Sequence, residues 1–227
     1  MPPLLLLHGA IGAKEQFEPL QAALTEQVAV HTLDFEGHGA AALRARPFAI
    51  AHFAENVITY LDVNEIEQAH IFGHSMGGYV GLYMTQHYPD RIGRVFTLGT
   101  KLAWSPEFAA GEVRNMDPDR MLEKVPQFAR VLEARHTDWR ANLAKSREMT
   151  LALGDNPPLT LENLATIEHL VRLGIGDKDR MVTLEETIAA YRAMPNGQLH
   201  VIPATAHPLE RIHVGRVAAA IIDFLSA

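Results

Sequence analysis

The sequence predicts an α/β fold: an open parallel sheet of about six strands flanked by helices, with a helical cap inserted after the fourth strand. Three observations predict it. Short apolar runs alternate with segments of helical periodicity at both ends of the chain, the pattern of parallel strands joined by right-handed crossovers. Between about Ala103 and Glu168 that alternation lapses and the pattern becomes helical throughout. Finally, Gly73-His74-Ser75-Met76-Gly77-Gly78 falls where an apolar run stops and a helical pattern begins. The expected division is a core of residues 1–102 and 166–227 with a cap of residues 103–165.

Leu4 to Leu7 is a leucine run between Pro3 and Gly9, as expected for a strand buried on both faces. His8 to Gly12 forms a glycine-containing loop before a helix over roughly Glu15 to Thr25. Val28 to Leu33 reads as the next strand, placed at one edge of the sheet, and Asp34 to Gly39 as its turn-rich exit. Phe53, Val57, Ile58 and Leu61 have helical spacing within Ala51 to Leu61. Ala69 to Phe72 then enters the serine turn, and a helix follows until Tyr88-Pro89. Val95 to Leu98 is the fourth strand.

In the inserted region Met121, Val125, Phe128 and Leu132 share a helix face, although Pro126 must kink or split that helix. Trp139 to Leu153 is a further helix. Alternation resumes with Leu170 to Ile175, a strand interrupted by Arg172, and the loop Gly176 to Val182. Thr183 and Glu186 have capping-box spacing at the start of the next helix. Leu199 to Ile202 is the last strand, Ala204 to His207 its exit, and Val214 to Leu225 the closing helix.

Composition narrows the function. With 227 residues, 48% of them hydrophobic and 21% charged, the chain suits one substantial core. A formal net charge of −7, without Lys/Arg runs, argues against nucleic acid or an anionic membrane surface as a partner and for small molecules. The absence of cysteine excludes disulfides and a cysteine nucleophile and fits a cytoplasmic protein. The apolar start ends after Leu7 with no basic residues before it, so neither a secretion signal nor a membrane span is expected. No His-Glu-x-x-His pattern, carboxylate cluster, P-loop or dinucleotide fingerprint occurs, so no metal or cofactor is implied. The oligomeric state is left open.

A serine between two glycines at a strand-to-helix junction is held in a strained turn that exposes its Oγ. The bland alternative is a small-residue turn that lets a helix pack closely on a strand. Companions decide between them: Ser75, an aspartate of the 177–179 loop and His207 all fall at C-terminal strand ends, where open parallel sheets form their sites. A serine hydroxyl needs a base to accept its proton, and that base needs a carboxylate to fix its tautomer. Asp179 lies three residues after Gly176 with Val182 anchoring the returning helix, whereas Asp177 suits a turn residue or a partner of Lys178. His74 is expected to point away from the serine Oγ, and His8 to be a structural hydrogen-bonding residue.

Leu5-Leu6-Leu7-His8-Gly9, Asp34-x-x-Gly37-His38-Gly39, the Gly73 to Gly78 motif, Gly176-x-x-Asp179-x-x-Val182 and His207 together resemble the α/β-hydrolase superfamily of small capped serine esterases, lactonases and carbon–carbon bond hydrolases. The resemblance spans nearly the whole chain. It implies a nucleophile at Ser75, with Asp179 and His207 as its acid and base, and an oxyanion hole from the backbone amides of Ala10 and Met76. It also implies a fold lacking that superfamily's first two strands, since Leu4 is nearly the first residue; Leu170 stands where a proline is usual. Serine at position 75 sets the chain apart from the dehalogenases and epoxide hydrolases, whose nucleophile is aspartate.

The pocket expected from this reading is an apolar cleft between cap and sheet, lined by Trp104, Met121, Phe128 and Leu132, favouring a small, mostly apolar acyl or alcohol group. Lys101 is either an attractor for an anionic substituent or a solvated surface lysine. The activity expected is cleavage of a small carboxylic ester, lactone or thioester. The alternatives are a lyase or cofactor-free perhydrolase using the same groups, and a slowly hydrolysing ligand-sensing protein.

Overall fold

The computed structural model describes residues 2–226. Strands β1 (Leu4–Leu7), β2 (Val30–Thr32), β3 (Ala69–His74), β4 (Ile92–Leu98), β5 (Val171–Gly176) and β6 (Gly197–Ile202) form one sheet in the order β2-β1-β3-β4-β5-β6. Every neighbouring pair is parallel. Side chains alternate across such a sheet, so the leucine run serves two cores at once. Leu5 and Leu7 join Ile71, Val95 and Leu173 under α2 (Ile50–Val63) and α3 (Met76–His87). Leu4 and Leu6 join Phe72 and Phe96 under α1 (Glu18–Leu24) and the C-terminal helix Val214–Ser226.

The expected strand Val28 to Leu33 is shorter than its apolar run. As the edge strand it has one neighbour, and it pairs only where Leu4, Leu5 and Leu6 face it. Val28 and Leu33 are buried, yet as packing residues outside the ladder. The polar interruption of β5 is accommodated by partners: Arg172 donates to Gln198 Oε1 at 2.8 Å and to Asp223 Oδ2 at 2.7 Å, and its guanidinium lies 4.8 Å from the Phe224 ring centre. Its charge is therefore paired, and its stem packs as an apolar residue would.

Between β4 and β5 lie α4 (Pro106–Val113), α5 (Pro118–Lys124), α6 (Pro126–Arg135), α7 (Trp139–Asp155) and the short α8 (Leu161–Leu164). Pro126 splits the expected single helix into α5 and α6, with Val125 before it at φ −140°, ψ 56°, outside the helical region. The split redirects the apolar face. Met121 and Leu132, expected in the pocket wall, pack instead with Ala129, Trp139 and Leu143 in a small core of the insertion's own. Thr183 and Glu186 do form the capping box at the start of α9 (Leu184–Ala193), and α10 (Val214–Ser226) closes the chain. Among the described residues no helix is long and apolar enough to cross a membrane.

Candidate active site

The direction of strand order reverses between β1 and β3, and the crevice beyond the carboxyl ends of such strands is where ligands bind in open α/β sheets. Ser75 stands there, between β3 and α3, at φ 51° and ψ −117°. A non-glycine residue in that region costs on the order of 1–3 kcal/mol and persists only where its surroundings hold it. Here they do: its amide donates to Leu98 O at 2.9 Å, and its carbonyl accepts from Thr100 Oγ1 at 2.9 Å. The flanking glycines are required sterically, because a Cβ at Gly73 would overlap the Gly77–Gly78 backbone and one at Gly77 would overlap the Leu7 carbonyl.

Ser75 Oγ lies 3.2 Å from His207 Nε2, and His207 Nδ1 lies 2.8 Å from Asp179 Oδ2. The second ring nitrogen of His207 can donate only to that carboxylate, which leaves Nε2 free to accept from the serine. Asp179 is itself oriented by its other oxygen, which accepts from the amides of Met181 at 2.8 Å and Val182 at 2.9 Å. Burial alone would raise the Asp179 carboxyl, but the hydrogen bonds from His207, Val182 and Met181 outweigh it, and its pKa is lowered. The group is thus ionised at neutral pH. Asp177 faces elsewhere: it accepts from Thr205 N at 3.2 Å and lies 3.8 Å from Lys178 Nζ. The arrangement can draw a proton from Ser75 and stabilise the resulting imidazolium.

A cavity of about 260 Å³ opens over Ser75. The sheet side contributes Ala10, Ser75, Met76 and His207; the insertion contributes Trp104, Phe108, Phe128 and Met149. Of the residues expected in the wall, Lys101, Trp104 and Phe128 are there, Phe128 at the exposed margin, and Met121 and Leu132 are not. Lys101 is neither solvated nor free. Its ammonium is 2.7 Å from Glu186 Oε2, with the two side chains only 11% and 6% exposed.

Ile11, Arg135 and His136 carry no local signal in the sequence. Ile11, in the loop after β1, has φ 52°, and its carbonyl accepts from His136 Nε2 at 2.9 Å and Arg135 Nη1 at 3.3 Å, both at the end of α6. His136 Nδ1 in turn accepts from Gly39 N at 2.9 Å. The insertion is thereby fastened to the loop that bears Ala10. His74 does not touch the serine Oγ; its Nε2 donates to the backbone carbonyl of His207 at 2.8 Å, holding that loop in place. His8 Nδ1 donates to Gly9 O at 2.8 Å and Nε2 accepts from Phe35 N at 3.2 Å, a structural role.

These buried rings set a pH dependence of stability. Burial lowers the pKa of His8 from 6.5 to about 4, and burial together with the charge of His207 does the same to His74. Between those values the unfolded chain binds protons that the folded chain refuses. The stabilisation is therefore complete above pH 6.5 and falls as the pH drops toward 4, by up to on the order of 3 kcal/mol for each ring. Thermal unfolding is expected to show Tm falling from about pH 7 to about pH 5, ahead of most carboxylate titration; a flat profile there would contradict the buried neutral rings.

A family model described as the alpha/beta hydrolase fold matches residues 2–166. Among curated relatives, RutD of Caulobacter segnis is 32% identical over 104 residues, which are 45% of this chain and 38% of that protein. The chain thus matches well under half of that relative's length. The 2-hydroxymuconate semialdehyde hydrolase of Pseudomonas putida is 26% identical over 196 residues, 79% of this chain and 70% of that protein. Among solved structures, a thermophilic esterase from Thermogutta terrifontis superposes with a TM-score of 0.80 over 100% of this chain and 90% of its own, at 20% identity, a likeness of fold. The parallel sheet, the serine turn between β3 and α3 and the matched family model agree, and the chain belongs to the α/β-hydrolase fold family.

Proposed function

We propose that the protein is a serine hydrolase that cleaves small carboxylic esters, lactones or thioesters through an acyl-enzyme formed on Ser75. The observation that carries this reading is the chain of contacts from Ser75 Oγ to His207 to Asp179, 3.2 and 2.8 Å long, at the floor of an apolar cavity. Ser75 attacks the carbonyl carbon as His207 Nε2 accepts its proton; the leaving group departs with that proton, and water repeats the sequence to release the acid.

The developing oxyanion is assigned to the amides of Ala10 and Met76. Both residues line the cavity beside Ser75, and Met76 is the first residue of α3, whose amide has no carbonyl one turn back within the helix. The Arg135 and His136 contacts to Ile11 support this role for the loop, since they hold its left-handed residue next to Ala10. Residues 103–165 act as the cap that closes the cavity and excludes water, while residues 1–102 and 166–227 form the catalytic core.

A fluorophosphonate is expected to leave one adduct on Ser75, and p-nitrophenyl acetate to give a burst stoichiometric with protein followed by steady turnover. Ester hydrolysis without an adduct on Ser75 would remove the nucleophile from this reading. A burst with no subsequent turnover would leave a binding protein of the same fold instead.

A further inference from the structure

We infer that the cavity selects a neutral acyl group over one bearing a carboxylate, and that Glu186 sets this selection by holding Lys101; the inference rests on the acyl-hydrolase reading of the same site. Two permanent cations, Lys101 and Arg135, line the cavity, and each is already committed. Lys101 is paired with Glu186 and lies 4.1 Å from the centre of the Phe108 ring. Glu186 cannot easily turn away. Its Oε1 accepts from the amides of Leu102 at 3.1 Å and Ala103 at 3.3 Å, and its Oε2 from Thr183 N at 3.3 Å as part of the α9 cap.

Arg135, with its side chain 8% exposed, lies 2.9 Å from Glu210 Oε1 and 3.3 Å from Glu15 Oε1 while donating to Ile11 O. Glu210 and Glu112 are themselves in the cavity wall, with Glu186 and Glu15 behind it. In the wall itself Glu112 and Glu210 therefore match the two cations in number, and Glu186 and Glu15 pair those cations from outside it. The rest of that space is bounded by Ile50, Tyr79, Trp104, Met149 and Leu153. A carboxylate entering would give up its hydration and gain no unpaired donor cation, which is the arrangement that discriminates against a wrong substrate by leaving a charge uncompensated. A neutral alkyl chain loses nothing of the kind.

The test compares p-nitrophenyl pentanoate with mono-p-nitrophenyl glutarate, two esters of equal acyl length that differ in a terminal carboxylate. The wild-type protein is expected to favour the pentanoate by about 100-fold or more in kcat/KM. Glu186→Gln retains a carbonyl for the Leu102 and Ala103 amides but releases the charge of Lys101, so relative use of the glutarate should rise about tenfold, chiefly through KM. Glu112→Gln removes a wall carboxylate without touching the α9 cap. It should move the ratio the same way by roughly threefold, which keeps the test in force if the first variant misfolds. Wild-type use of both esters within about threefold, or a folded Glu186→Gln whose ratio does not shift, would overturn the inference, and if Glu186→Gln misfolds an unshifted Glu112→Gln does so. Fluorophosphonate labelling of each preparation separates the two failures. Labelled Ser75 with equal use of both esters sinks the charge argument alone, whereas an unlabelled Ser75 sinks the hydrolase reading with it.

Discussion

Replacing Ser75 by alanine is expected to lower ester turnover by on the order of 10⁴-fold or more while leaving the protein folded. The two halves of that expectation have separate causes. Activity depends on Oγ, which sits 3.2 Å from His207 Nε2 and is the atom that bonds to the substrate in the proposed route. Folding depends on the turn, and the turn is held by backbone groups that alanine retains: the Ser75 amide on Leu98 O and its carbonyl under Thr100 Oγ1. Alanine carries the same left-handed strain as serine, so Tm should move little. Ester turnover by the purified variant and a thermal melt check both halves. A variant that stays folded and keeps most of its activity would place the nucleophile elsewhere.

The parts of the molecule written in short stretches of sequence were legible there. Leu4 to Leu7 declared a strand buried on both faces because nothing in it is polar, and the parallel order follows from its alternation with helices. The serine turn was legible because its sterics need glycine on both sides. Asp179 stood out from Asp177 because its place after Gly176 matches the acid loop of the hydrolases the chain resembles, and it is the carboxylate in contact with His207. What stayed hidden depends on contacts between remote residues. Apolar spacing identified a face containing Met121 and Leu132, but spacing does not say whether a face meets the cavity or a neighbouring helix, and here Trp139 and Leu143 cover it. Lys101 was left between a substrate attractor and a solvated lysine because its partner, Glu186, lies 85 residues away in a helix cap. The bond from His136 to Ile11 spans 125 residues and leaves no mark in either segment.

Asp179→Asn should cost up to about 10⁴-fold in turnover, whereas Asp177→Asn should cost little. Asp179 Oδ2 is the acceptor for His207 Nδ1, and Oδ1 accepts from two amides, Met181 and Val182. An asparagine keeps one acceptor oxygen. If that oxygen stays with the two amides, the amide nitrogen faces His207 as a donor, and the ring must put its own proton on Nε2, where it can no longer accept from Ser75. The loop retains its amide contacts, so the loss falls on chemistry more than on folding. In the Asp177 variant the Thr205 amide still finds the asparagine oxygen, and only the 3.8 Å attraction to Lys178, an exposed pair worth little, disappears. Turnover of a p-nitrophenyl ester by both variants, with thermal melts to verify folding, distinguishes them. A larger loss at Asp177, with both variants folded, would mean that the contact between Asp179 and His207 is not the one that orients the base.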